Sequence, residues 1–266
     1  MLTLTVFSCT NAHTFIHTAL SQMIDSIGAE LVESVEEAAT ATHVIASDGK
    51  TKLRRTPKLM ICICRVSKIL SIEWLERSSI EQQILDTNDF LLLGDKEAEE
   101  TYNFSMKETI ENGILARRER GGVLGGWSVH ICSNVAGNRA PSTKELTLII
   151  LAAGGKVLET LSESHVLDPL KTIVLTSDPN TEAQLAEHGV ERVASLGAKI
   201  ATTSWLFHTI ITQKISNDSD AAAGTPNHGR GDDGTPQSGR QRSKRKAAAQ
   251  SPTPGTSKRR KSTRKR

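Results

Sequence analysis

Aromatic side chains are scarce, at 3% of 266 residues with a single tyrosine. That scarcity argues against a single-strand nucleic-acid platform, which needs aromatics interleaved with basic residues for base stacking. It leaves contact with a phosphate backbone open. Cysteines number four. Cys9, Cys62, Cys64 and Cys132 sit in apolar runs without the paired spacing of a zinc site or a secreted disulfide framework, and are expected to be buried small hydrophobes. His13 and His17 lie four apart on a predicted helix, but no Glu stands between them and no third ligand follows, so they read as ordinary helix-face residues. Long apolar runs are also missing. No stretch approaches the roughly 20 residues of a membrane span, and Met1-Leu2-Thr3-Leu4-Thr5-Val6 is not a secretory leader. A soluble intracellular protein without a membrane role is expected.

What is present is unevenly charged. The chain holds 33 Lys and Arg against 30 Asp and Glu. Residues 217–266 contain 13 of those cations and 4 of the acids, a net +9, leaving 20 and 26 in residues 1–216, a net −6. The tail has no apolar side chain larger than alanine, so it is expected to be disordered. Within it, Lys244-Arg245-Lys246 and Lys258-Arg259-Arg260-Lys261 have the spacing of a bipartite nuclear import signal, and nuclear localisation is the expectation. A solubilising arm with weak, nonspecific nucleic-acid contact is the alternative use. Thr225-Pro226, Thr235-Pro236, Ser251-Pro252 and Thr253-Pro254 fit proline-directed phosphorylation.

The first 216 residues repeat. Ile27-Gly28-Ala29-Glu30-Leu31-Val32-Glu33 matches Ala153-Gly154-Gly155-Lys156-Val157-Leu158-Glu159 at an offset of 126. Thr42-His43-Val44-Ile45-Ala46-Ser47 matches Thr172-Ile173-Val174-Leu175-Thr176-Ser177 at 130, and the stretches around Trp74 and Trp205 match at 131. Each half reads as strand, helix, glycine turn, strand, strand, helix, strand and a Trp-bearing helix, which implies an α/β fold with a mostly parallel sheet covered on both faces. In the first half the strands are predicted near Leu4–Cys9, Glu30–Val32, His43–Ala46 and Lys68–Leu70, and the helices near Thr14–Ile27, Thr56–Cys64 and Ile72–Arg77. Gly28 and Gly154-Gly155 are placed as helix ends, Trp74 and Trp205 as core anchors. The organisation is a first domain at 1–92, a linker at 93–126, a second domain at 127–216 and the tail at 217–266.

In the linker, Ser105 and Glu108 form a capping-box pattern for a helix running toward Arg118, with Ile110, Ile114 and Leu115 predicted as its apolar face. Gly121-Gly122 and Gly125-Gly126 precede a strand and lack a Lys-Ser/Thr ending, so they read as a flexible turn and not as a phosphate loop.

One segment reverses the sign of its surroundings. Lys50, Lys52, Arg54, Arg55 and Lys58 place five cations in nine residues with no acid among them. Thr56 suits an N-cap and Pro57 the first helical position, so Lys58 falls in the first turn, where free N–H groups and the helix dipole favour an anion. A solvated cationic face is the bland alternative.

Arg55-Thr56-Pro57-Lys58 matches the Arg-Thr-x-Lys element of phosphoserine-reading BRCT pairs, and the span 4–216 resembles a tandem BRCT pair. Thr42-His43-Val44-Ile45, Arg65 to Trp74, Glu97 to Met106 and Ala153 to Leu158 carry the likeness through both lobes and the linker. The resemblance implies two BRCT repeats, each a small parallel four-stranded sheet flanked by helices, packed in tandem through a linker helix. It implies that Lys58 contacts a phosphate, that Ser8 offers a hydroxyl and that the N–H of Cys9 completes the cradle. Cys9 stands where the family usually has Gly, which puts close backbone approach in doubt. Arg55 is implied to face the residue three places after the phosphoserine, through its backbone or a free carboxylate, with Thr56 and Arg54 in support. Asp178-Pro179-Asn180-Thr181-Glu182 replaces the element in the second half, so only the first lobe is expected to take phosphate. Such pairs usually end much longer proteins; an abbreviated homologue and a fragment both fit this chain.

The function implied is a non-catalytic adaptor of the nuclear DNA-damage response on chromatin. Its partner would be a phosphorylated protein, with a histone tail as the ligand class. A DNA-binding BRCT module using the basic segment and tail is the alternative. No nucleotide-binding lysine motif, paired carboxylate site, Ser/His/Asp set or metal cluster is apparent, so neither an enzyme, a cofactor nor a small-molecule substrate is expected.

Overall fold

The computed structural model describes residues 2–6, 13–47, 53–135, 141–161, 168–177 and 181–215. The first lobe comprises β1 (Thr3–Val6), α1 (His13–Ser26), β2 (Glu30–Leu31), β3 (His43–Ser47), α2 (Pro57–Arg65), β4 (Ile69–Ser71) and α3 (Ile72–Glu81). The linker contributes α4 (Lys96–Tyr102) and α5 (Met106–Arg120). The second lobe comprises β5 (Ser128–Ile131), α6 (Thr143–Ala152), β6 (Lys156–Leu158), β7 (Thr172–Thr176), α7 (Thr181–Leu185), α8 (Val190–Ser195), β8 (Lys199–Thr202) and α9 (Thr203–Thr212). Among the described residues no helix is long and apolar enough to cross a membrane.

Both sheets have four strands, in the orders β2-β1-β3-β4 and β6-β5-β7-β8, with every pairing parallel. Parallel strands need crossover connections, which is why short apolar strands and helices follow one another along each half. The predicted order of elements holds, with local differences. The part of the first predicted strand beyond Val6 lies outside the described residues. α3 runs a turn past Arg77 because Ser78 is buried inside it, its hydroxyl accepting from the Leu85 N–H at 3.4 Å. The second-lobe counterpart of α2 is two short helices, α7 and α8, since Gly189 between them takes a left-handed conformation (φ 86°) that no continuous helix contains.

The core joins the lobes. One apolar cluster (Leu4, Ile24, Ile45, Leu70, Trp74, Leu75) fills the α1/α3 face of the first sheet. The other begins on the α2 face and continues through α5, α6 and α9 to the second sheet. α2 packs against α5, α6 and α9. Consequently Leu59, Met60, Ile61, Cys62, Ile63 and Cys64 are all buried. A helix apolar all round its circumference has to be covered all round, and the Leu59–Cys64 run is the sequence signature of that position. Cys62, Cys64 and Cys132 are buried free thiols, as expected; burial pushes the Cys62 and Cys64 thiols up to about 12. Trp74 and Trp205 are core residues, as expected.

The linker helix corrects two expectations. Ser105 caps α5, accepting from the Glu108 N–H, but the buried face is Met106, Thr109, Ile110, Gly113 and Ala116, while Ile114 and Leu115 are 49% and 43% exposed. Small residues face the lobes because α5 lies close to them. Arg117 donates to the carbonyls of Ile63 and Cys64, and Asn112 to that of Thr212. The glycine turn after α5 is tightly packed, contrary to the flexible turn expected. Gly122 has φ 146°, and a Cβ there would lie 2.2 Å from the Ala153 carbonyl oxygen.

Candidate functional site

The candidate site lies at the carboxyl edge of the first sheet. With the order β2-β1-β3-β4, the chain departs β1 toward one side and β3 toward the other, so the crevice beyond these two strands is the topological switch point where open α/β sheets bind ligands. Because α2 follows β3 on the way to the parallel strand β4, its start lies at this same edge.

The local sequence builds that helix start as expected. Thr56 is extended (φ −80°, ψ 153°), its side chain accepts from the Leu59 N–H at 3.2 Å, and Pro57 opens the helix. No acidic residue stands in the first turn. The remaining N–H groups and the dipole there attract negative charge.

Lys58 points along this edge. Its ammonium donates to the carbonyl of Val32, just past β2, at 2.7 Å, and Val32 in turn donates its N–H to Leu4 in β1 at 2.7 Å. One hydrogen bond therefore fixes the cation beside the strand that leads to Ser8. Burial lowers the Lys58 pKa, while Cys62 and Glu33 act in the opposite sense. A cation that burial disfavours gains from an incoming anion.

Arg55 is held by the linker. Its guanidinium sits 4.3 Å from the ring centroid of Tyr102, the last residue of α4, an arrangement that keeps the planar fork in one orientation. Burial lowers its pKa, with Tyr102 opposing. Asp95 caps α4 through the Ala98 N–H at 3.0 Å and also accepts from the Leu53 N–H at 2.8 Å, tying the linker to the start of the cationic segment. Arg54 is exposed. Thus Arg55, Thr56 and Lys58 come together at one helix start. Ser8, Cys9, Lys50, Lys52 and the import residues Lys244, Arg245, Lys246, Lys258, Arg259, Arg260 and Lys261 lie outside the described residues. Val32, Asp95 and Tyr102 were not foreseen, and only Tyr102, as the sole tyrosine, carried any signal.

The second lobe treats its equivalent edge differently. Strand register pairs Leu4 with His43 and Val129 with Ile173. Since the 130-residue offset aligns His43 with Ile173, Leu4 corresponds to Val129 and, counting onward, Ser8 to Ser133. The Ser133 N–H already donates to both carboxylate oxygens of Glu187, at 3.0 and 3.2 Å. A built-in carboxylate thus occupies the amide that corresponds to that of Ser8, one residue before the counterpart of Cys9.

Residues 122–221 match the BRCT domain model. PAX-interacting protein 1 of Bos taurus is 30% identical over 190 residues, covering 69% of this chain and 18% of that protein. Mediator of DNA damage checkpoint protein 1 of Rattus norvegicus is 28% identical over 142 residues, covering 53% of this chain and 10% of the relative. The chain therefore spans less than a fifth of either relative. Among solved structures, the BRCT5-BRCT6 domains of S. pombe Brc1 superpose with a TM-score of 0.59 at 15% identity, covering 83% of this chain and 99% of that one.

Proposed function

Taking the chain as a tandem BRCT pair related to DNA-damage checkpoint proteins, we propose that it is a non-catalytic adaptor that reads a phosphoserine peptide through its first lobe. The observation that carries this reading is the Thr56-capped start of α2, where Lys58 is anchored to Val32 at the carboxyl edge of the first sheet. In this reading Lys58, the Ser8 hydroxyl and the Cys9 N–H hold the phosphate. Arg55, steadied by Tyr102 and with Thr56 and Arg54 in support, meets the residue three places on, or its free carboxylate, through a bidentate pair. The Glu187 carboxylate on the Ser133 amide supports the restriction to one lobe. The second lobe supplies a wall of the groove, and a phosphorylated histone tail in the nucleus is the ligand class proposed, with the tail's basic clusters directing import.

A phosphoserine carries about −1.5 to −2 charges at neutral pH, and each hydrogen bond to a charged group contributes about 1.5–3 kcal/mol. Two such bonds separate phosphorylated from plain peptide by at least about a hundredfold. Calorimetry with matched phosphorylated and unphosphorylated peptides tests the reading, and equal binding of the two sinks it.

A further inference from the structure

His130 and Cys132 lie two residues apart on β5 and its extension, so they share a face of the strand. Glu187, from the turn between α7 and α8, comes over that face. A ring nitrogen of His130, the thiol of Cys132 and a carboxylate oxygen of Glu187 all lie within 4.8 Å of one another. We propose that these three side chains form a binding site for a divalent transition metal of the zinc type in the second lobe, with the remaining position left to water.

The donor set suits that ion. Imidazole, thiolate and carboxylate are the three ligand classes that zinc accepts, and three protein ligands with an open fourth position is an established arrangement. Bond lengths of about 2.0–2.3 Å require tetrahedral ligand separations of about 3.3–3.8 Å, so side-chain shifts of about 1 Å close the set. Outer contacts that orient metal ligands are already in place. The Nδ1 of His130 lies 3.1 Å from the Leu158 carbonyl, which can only accept, so the neutral ring carries its proton there and its lone pair on Nε2. The Ser133 N–H steadies the Glu187 carboxylate, and each oxygen retains a second lone pair for a cation.

Cys132 is buried beside the Glu187 carboxylate, and a divalent ion between them would hold the sulfur as thiolate and neutralise the carboxylate. The repeat does not require these residues to fold. By the same register, His130 and Cys132 correspond to Thr5 and Phe7 of the first lobe, neither of which is a metal ligand of this kind. A bound ion would pin the α7–α8 turn onto β5, replacing the rigidity that a continuous α2 gives the first lobe.

Cobalt(II) is the probe, titrated into the reduced full-length chain. The expected result is release of a proton as cobalt binds, with a thiolate-to-cobalt charge-transfer band that added zinc then abolishes. The band should persist in Cys9→Ser and disappear in Cys132→Ser. Because Cys132 is buried, His130→Asn and Glu187→Gln, at half-exposed positions, provide the second arm. With circular dichroism unchanged, each should weaken binding by about 10- to 100-fold. Absence of the band in the wild-type chain, its survival in Cys132→Ser, or unaltered affinity in both His130→Asn and Glu187→Gln would overturn the site.

Discussion

The guanidinium of Arg55, one residue before the cap of α2, lies 4.3 Å from the ring centroid of Tyr102, at the end of α4. A cation from the first lobe is thus oriented by the inter-lobe linker, so the geometry of the proposed peptide site depends on the packing of the pair as well as on one repeat.

Tyr102→Leu should therefore act on selectivity more than on phosphate recognition. Cation–π stacking contributes about 0.5–2 kcal/mol, so the preference for a free carboxylate over an amidated terminus should fall by about 2- to 30-fold. Calorimetry with acid and amide forms of one phosphopeptide reads that ratio, and the phosphorylated-to-plain ratio should hold.

Lys58→Met removes the ammonium anchored on Val32 but keeps the apolar stem. Phosphopeptide affinity should fall by about 10- to 150-fold. Ser8→Ala should give a loss of the same order, while the thermal midpoint of each variant stays near that of the parent. A large drop in the midpoint would assign Lys58 to the fold.

Gly122→Ala should destabilise the pair by about 2–3 kcal/mol, since the new methyl group meets the Ala153 carbonyl and the backbone is left-handed. Gly28→Ala, left-handed too but facing open space, should cost only about 1 kcal/mol. Urea denaturation of both variants separates a packed interface from a merely permissive turn.

His43 supplies a pH dependence. It is buried, stacks on Trp74 with ring centroids 5.6 Å apart, and burial, aided by Lys68, depresses its pKa to about 4. An unfolded-state histidine titrates near 6.5, so between about 6.5 and 4 the unfolded chain binds the extra proton. Stability is full above 6.5 and is lost as pH falls toward 4, by about 1–3 kcal/mol. His43→Gln should flatten that part of the urea-midpoint profile; an unchanged slope would remove His43 as its source.

Much of this protein was legible in its residues because the relevant physics is local. Alternating periodicities placed the strands and helices of both lobes, the recurring blocks revealed the repeat, and Thr56-Pro57 marked a helix start whose cap the structure contains. Only the tertiary structure decided which partners those elements meet. The α5 face came out wrong because Ile114 and Leu115 are apolar yet point to solvent, whereas close packing on the lobes selects Thr109, Gly113 and Ala116. Val32 beneath Lys58, Tyr102 beside Arg55, and Glu187 over Ser133 and Cys132 are 26, 47, 54 and 55 residues distant in sequence. Spacing rules reach about one helical turn or one strand pair. Contacts at such separations exist only once the sheets have formed and the core has joined the lobes.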